Sequence, residues 1–223
     1  MEAGSAGYPD AATLLTPARL ALVTLTRRFV DALLTAESGD TEMLDIGADL
    51  ERLVDRLETH APLSTEARPM ERRHADYLPR SPLVGELNAV APPFSWEFRD
   101  GRLRAEGVFG AAHEGPPGYV HGGWIALAFD EALGIANVAG SNPGMTARLT
   151  IRYRRPTPLR VPVVLEAWTE RVEGRRIHTV GTISAGDELT AQAEGIFVNI
   201  GQERALEYFG ERPATPEPTD PLP

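Results

Sequence analysis

Gly115-Pro116-Pro117-Gly118-Tyr119-Val120-His121-Gly122-Gly123 runs directly into Trp124-Ile125-Ala126-Leu127-Ala128-Phe129-Asp130-Glu131-Ala132-Leu133-Gly134-Ile135-Ala136-Asn137. A loop rich in Gly and Pro leads into His-Gly-Gly, and a helix-length, almost wholly apolar run follows. The Gly pair lets backbone N–H groups approach a ligand closely. At a helix start those N–H groups lack intrahelical partners and carry the positive end of the helix dipole. Such a start can receive an anion, including one that develops in a transition state. A helix apolar on nearly every face is expected to be wrapped by other structure. Two adjacent acids, Asp130 and Glu131, interrupt it, and an acid in such surroundings needs a partner or a purpose. On pattern alone, an ordinary buried helix with one solvated edge carrying both acids explains the run equally well.

Strand patterns flank this run. Ser95-Trp96-Glu97-Phe98-Arg99 alternates, Asp100-Gly101 is a hairpin turn signal, and residues 103–109 alternate again. Beyond a break at Gly140-Ser141-Asn142-Pro143-Gly144, four more strands are predicted over residues 146–154, 163–172, 176–185 and 189–199. Two strands, a helix and four strands make an α+β layout, one antiparallel sheet around one central helix.

Ahead of this lie two amphipathic helices. Thr16-Pro17 pairs a cap residue with Pro at the first helical position. Leu20, Val23, Leu25, Phe29, Val30, Leu33 and Leu34 then recur at helical spacing. Ser38-Gly39-Asp40 breaks the pattern, and Met43, Leu44, Ile46, Leu50, Leu53, Val54 and Leu57 mark a second helix whose charges read as a solvated face. The sequence leaves open whether these helices pack on the sheet domain, cover its pocket or mediate assembly. Residues 63–93 read as a connecting segment, with Arg80 to Gly85 an ordered lead-in. The organisation expected is a helical extension and linker over 1–80, the α+β domain over 81–202 and a Pro-rich, disordered tail over 203–223 with a short helical piece near its start.

Charge and composition exclude several functions. The formal net charge is −10, which argues against a nucleic-acid surface. There is no Lys, so no Schiff-base lysine, and no Cys, so no disulfide, thiol nucleophile or thiolate metal site. The N-terminus lacks the basic and apolar regions of a signal peptide. The best apolar run near it, residues 20–34, is cut by Arg27, Arg28 and Asp31, so no membrane insertion is expected. A cytoplasmic protein is the simplest reading. No Gly-x-Ser-x-Gly elbow and no Walker or Rossmann phosphate loop occurs. His113-Glu114 matches no metal motif, His60, His74 and His178 read as surface or packing residues, and no metal or cofactor is expected.

The loop and helix, with Asp nine residues after the His, resemble the hotdog-fold acyl-CoA thioesterases of the bacterial phenylacetate-pathway (PaaI-like) type and of the animal thioesterase superfamily. The resemblance continues through Met145-Thr146-Ala147-Arg148-Leu149-Thr150-Ile151-Arg152-Tyr153-Arg154-Arg155-Pro156. It runs on through Arg171-Val172-Glu173-Gly174-Arg175 to Ala193-Glu194-Gly195-Ile196-Phe197-Val198. It covers about half the chain and leaves out the two N-terminal helices. It implies the hotdog fold, a sheet wrapped around a central helix, and hydrolysis of an acyl-CoA to free acid and coenzyme A.

That chemistry needs a donor for the carbonyl oxygen and a carboxylate to activate water or attack directly. The Gly122 N–H is the donor expected, with Gly123 keeping the turn narrow, and Asp130 is the carboxylate. Glu131, the neighbouring acid, points about a quarter turn away. Eight residues of helix separate Gly122 from Asp130, about 12 Å at the helical rise. Two antiparallel helices related by a two-fold axis would bring Gly122 of one protomer to Asp130 of the other. The resemblance implies the same shared site, hence a homodimer or a dimer of dimers. It also matches Thr146 to a hydroxyl that helps hold the catalytic water; a plain β-branched strand residue is the alternative. His121 would order the loop. Arg152, Arg154 and Arg155 are the candidates for the coenzyme A phosphates, ahead of Arg175 and Arg176, because Arg suits bidentate phosphate contact. Trp124 stands where the family usually has a small or aliphatic residue, and would shorten the acyl pocket or form its wall. A non-catalytic acyl-CoA sensor or carrier is the competing reading.

Overall fold

The computed structural model describes residues 15–60 and 78–201. The expected tail and the part of the linker between residues 61 and 77, with His74, lie outside the described residues. Two N-terminal helices come first, α1 (Pro17–Thr35) and α2 (Asp40–Glu58). The hairpin β1 (Ser95–Arg99) and β2 (Arg102–Val108) follows, then α3 (Gly122–Ala139). Four strands complete the chain: β3 (Met145–Tyr153), β4 (Pro162–Glu173), β5 (Arg176–Ala185) and β6 (Glu188–Val198). They form one antiparallel sheet in the order β1-β2-β4-β5-β6-β3. The expected α+β hotdog arrangement is the one observed. Asp100 and Gly101 both take positive φ, at 51° and 75°, as a two-residue hairpin turn requires.

One face of the sheet is the core. Leu103 pairs with Ala167, Leu165 with Ile183, Ala167 with Gly181 and Ile177 with Phe197. All of them alternate with residues on the outer face, as the period of a strand demands. Across this face lies α3, burying Ile125, Ala128, Phe129, Ala132, Leu133, Ala136 and Asn137. These recur at three- and four-residue spacing, so they form one stripe. Burying Phe129 and Leu133 contributes about 1.5–3 kcal/mol each. Leu133 sits so close to β6 that a Cβ added at Gly195 would come within 2.9 Å of it. The remaining side of α3 is also apolar, and Trp124, Leu127 and Ile135 there are only half-buried.

Two features of the N-terminal half differ from a bare extension and linker. Leu83 and Ala91 are buried in the domain, so residues 78–93 pack as part of it. α1 is docked rather than free. Arg27 Nη2 donates to the carbonyls of Gly85 (3.1 Å) and Asn88 (2.9 Å). Asp31 Oδ1 accepts the Ala111 N–H at 2.7 Å, and Asp31 Oδ2 lies 3.6 Å from Arg160. Thr16 caps α1 by accepting from the Arg19 N–H, with Pro17 as its first residue. Among the described helices, none is long and apolar enough to cross a membrane.

Candidate active site

The His-Gly-Gly turn is built by the loop before it. Pro116, Pro117, Gly118 and Tyr119 make a β-turn closed by the Tyr119 N–H on the Pro116 carbonyl (2.9 Å), with Gly118 at φ 82°. Proline presets the second position of such a turn, and positive φ in the third favours Gly. Glu114 Oε1 accepts the Gly118 N–H at 2.7 Å. Gly115 permits the return: a Cβ there would stand 2.7 Å from the His121 Cα, so any side chain would push the backbone of the turn.

The loop around His113 is fastened at several points. His113 is buried, at 5% exposure. Its Nδ1 accepts the Gly110 N–H and its Nε2–H donates to the Val90 carbonyl, both at 3.0 Å. Burial lowers its pKa, against the pull of those two backbone bonds, so the ring is neutral and structural. The His113 carbonyl accepts the His121 N–H, and Thr157 accepts the Val120 N–H. Trp124 packs edge-on against the His113 ring, centroids 4.6 Å apart, and so joins the first turn of α3 to the loop.

His121 is the N-cap of α3, and its Nδ1 accepts the Gly123 N–H at 2.9 Å. That bond places the ring proton of a neutral His121 on Nε2. The Gly122 N–H, one residue earlier, donates to nothing among the described residues and begins the helix. The cap therefore consumes one of the two glycine donors and leaves the other free. The Gly122 carbonyl accepts the Tyr153 hydroxyl at 2.9 Å, and the Tyr153 ring lies in van der Waals contact with the place a Gly122 Cβ would take. Tyr153 lies within the family-like stretch, and nothing local in the sequence marks it for this contact.

Two turns into α3, Asp130 Oδ1 accepts the Thr146 hydroxyl at 2.9 Å. Strand parity alone forbids this contact. Leu149, Ile151 and Tyr153 share the helix-facing side of β3, opposite Gly195, Ala193 and Ala191, and Thr146 is out of phase with them. The pairing shifts between Thr146 and Arg148. This bulge at Ala147 adds one residue and turns Thr146 back to the helix side, opposite Phe197. The sequence carries no signal of it, since Met145, Ala147, Leu149, Ile151 and Tyr153 alternate with polar residues without a break.

Glu131 faces elsewhere. Its Oε1 accepts the Ser81 hydroxyl at 3.1 Å, and Ser81 Oγ in turn accepts the N–H groups of Leu83 and Val84. Burial raises the Glu131 pKa, the Ser81 bond opposes the rise, and the neighbouring Asp130 charge adds to it. Glu131 thus holds the segment ahead of β1, whereas among the described residues Asp130 is bound through one oxygen.

The three arginines lie at the far end of β3, Arg152 within the strand and Arg154 and Arg155 just past Tyr153. Arg155 forms a 2.9 Å ion pair with Glu188, Arg154 Nε donates to Gln192, and Arg152 stands 3.9 Å from Glu194. Arg154 and Arg155 border an open surface cleft with Ala185, Asp187, Glu188 and Leu189. Each guanidinium is largely solvated but already faces an acid or an amide. Arg175 lies in the β4–β5 turn, where its Nε donates to the Asn199 carbonyl.

The comparisons with known proteins converge on one family. Residues 117–192 match the Thioesterase superfamily. Residues 21–66 match the N-terminal helical domain of hypothetical protein RHA1_ro05818. The chain is similar to acyl-coenzyme A thioesterase THEM4 of Xenopus laevis, with 37% identity over 39% of this chain and 40% of that one. The Mus musculus protein of the same name is 36% identical over 42% and 41%. The chain therefore spans about two fifths of the length of these curated relatives. Among solved structures it is similar to protein RHA08564, a thioesterase superfamily protein, with 37% identity, a TM-score of 0.75 and coverage of 86% of this chain and 94% of that one. That match takes in most of both chains at an identity well above the level of shared fold alone, and on it this chain belongs to the thioesterase superfamily.

Proposed function

We propose that the protein is an acyl-CoA thioesterase that hydrolyses its thioester in a site shared between two protomers. The observation that carries this reading is that one helix carries both a Gly122 N–H, free among the described residues at a capped start, and a carboxylate, Asp130, held by Thr146 of β3. The matched region of the acyl-coenzyme A thioesterases supports the substrate class.

The geometry supports the following roles. Gly122 and Asp130 stand about 12 Å apart along α3, too far to serve one carbonyl. A second copy, its α3 antiparallel to the first, brings the partner's carboxylate to the Gly122 N–H. Two surfaces favour that approach. The side of α3 away from the sheet is apolar and half-buried. β3 is an edge strand with one unpaired side, and edges of this kind seek partners.

In the reaction the thioester carbonyl oxygen points at the Gly122 N–H. Asp130 takes a proton from water as the water oxygen attacks the carbonyl carbon. The tetrahedral oxyanion accepts from Gly122 and the helix dipole. Collapse breaks the C–S bond, and the leaving thiolate receives the proton Asp130 had taken. Free acid and coenzyme A result, with Asp130 restored. A direct attack by Asp130, giving a mixed anhydride that water then opens, uses the same residues. Thr146 fixes Oδ1 and leaves Oδ2 for the reacting oxygen. His121 and Gly123 keep the turn in shape, Trp124 walls the acyl side, and Arg152, Arg154 and Arg155 meet the coenzyme A phosphates in exchange for their present partners.

The test is free-thiol release from short, medium, long and aromatic acyl-CoAs by wild type and Asp130→Asn. Turnover that collapses in the variant, with its fold intact, supports the mechanism and names the acyl class. Tight acyl-CoA binding with no turnover by wild type would replace the enzyme with a sensor or carrier.

A further inference from the structure

α2 carries apolar residues at Met43, Ile46, Leu50, Leu53 and Leu57. Their three-four-three-four spacing is the seam of a coiled coil. No α2 residue is buried, and Leu50, Leu53 and Leu57 are 40%, 51% and 60% exposed. A helix of this length draws its stability chiefly from packing an amphipathic face, and nothing among the described residues covers this one. α1 has a seam of the same kind. One side is docked through Arg27 and Asp31, yet Leu22, Leu25 and Leu33 on the other remain about half exposed, with Phe29 between them.

The two seams are complementary. Set antiparallel, Leu22 meets Leu53, Leu25 meets Leu50, Phe29 meets Ile46 and Leu33 meets Met43. Charge agrees with shape. α1 bears Arg28 beside its seam, α2 bears Asp49 beside its own, and this register sets the two next to each other. Within the single chain both seams lie open among the described residues. Residues 36–39 join the helices, and their ends are extended, with ψ 135° at Ala36 and 161° at Gly39.

We propose that α2 of one copy closes on α1 of a second copy, a reciprocal exchange of helices between protomers. The occupant of each open seam is the other half of the same hairpin, supplied by the partner chain. The exchange joins two copies at a surface separate from α3 and β3. Because Asp31 on α1 caps the loop that carries His113 and leads to His121, the exchanged pair would also clamp the outer side of that loop.

The absence of cysteine makes the test direct. Leu25→Cys and Leu50→Cys are introduced into separate full-length chains, mixed under mild oxidation and run without reductant. Helix exchange predicts a cross-linked dimer in the mixture, at least about fivefold above either variant alone, because a disulfide forms only where Cα atoms approach within about 7 Å. Leu25→Cys mixed with Arg52→Cys, on the solvent side of α2, is the control and should not cross-link. A chain carrying both Leu25→Cys and Leu50→Cys reports closure at home: a monomer-mass disulfide there, without interchain product in the mixture, overturns the proposal. So does the absence of any disulfide. Thioester turnover, measured on the same samples, tests the catalytic reading separately, since neither leucine touches that site.

Discussion

Thr146→Val keeps the branched shape of the side chain and removes only its hydroxyl. That hydroxyl donates to Asp130 Oδ1 at 2.9 Å. A hydrogen bond to a charged group contributes about 1.5–3 kcal/mol. If the bond is needed to aim the carboxylate at water, its loss appears in the barrier, and roughly 1.4 kcal/mol is tenfold in rate. The expected fall in kcat is therefore about 10- to 150-fold, with KM little changed, because the bond positions the reacting group and not the substrate. Thr146 is exposed within the single chain, so stability should stay within about 0.5 kcal/mol of wild type. The assay is initial-rate thiol release at saturating thioester, with thermal unfolding alongside. Thr146→Ser retains the donor and should recover most of the rate. In the Asp130→Asn background the Thr146→Val change should cost little more, since the two residues act as a unit. A Thr146→Val enzyme with wild-type kcat would refute the argument, and with it the idea that the Ala147 bulge serves the chemistry.

Gly115→Ala puts a methyl 2.7 Å from the His121 Cα; overpacking of this kind costs about 1–3 kcal/mol, and turnover should fall with it, read by thermal shift and thiol release. Tyr153→Phe removes the donor to the Gly122 carbonyl, a bond of about 0.5–1.5 kcal/mol, and should slow kcat several-fold while the chain stays folded. Glu131 has a raised pKa in the fold, so the native state binds the extra proton between the ordinary Glu value and the raised one. Its contribution to stability is fully present below the unfolded value and is lost as pH rises through the folded one. Glu131→Gln should then flatten the acid-to-neutral dependence of stability in denaturant titrations; an unchanged slope would exclude the buried carboxyl as its source.

Much of the site could be read along the chain. The His-Gly-Gly turn, Asp130 and Thr146 sit in one continuous motif, and alternation in the strands marks the sheet because burial on one face imposes period two. Asp130 could be separated from Glu131 only by resemblance. Structure gives the physical ground: Glu131 is occupied by Ser81, fifty residues away, and Asp130 by Thr146. His113 read as a loop residue because nothing local reveals that Val90 and Gly110 would enclose it.

The sequence alone therefore determined the elements and the capped turn, since these depend on local spacing, turn chemistry and helix ends, and it marked Asp130 and Glu131 as the candidate acids. Tertiary structure decided which groups are free to react. The bulge at Ala147 selects the face on which Thr146 lies, the Tyr153 hydroxyl reaches the Gly122 carbonyl across 31 residues, and the sheet order leaves β3 at an edge. Each is a long-range pairing, settled by how strands stack and register in space rather than by any short stretch of residues.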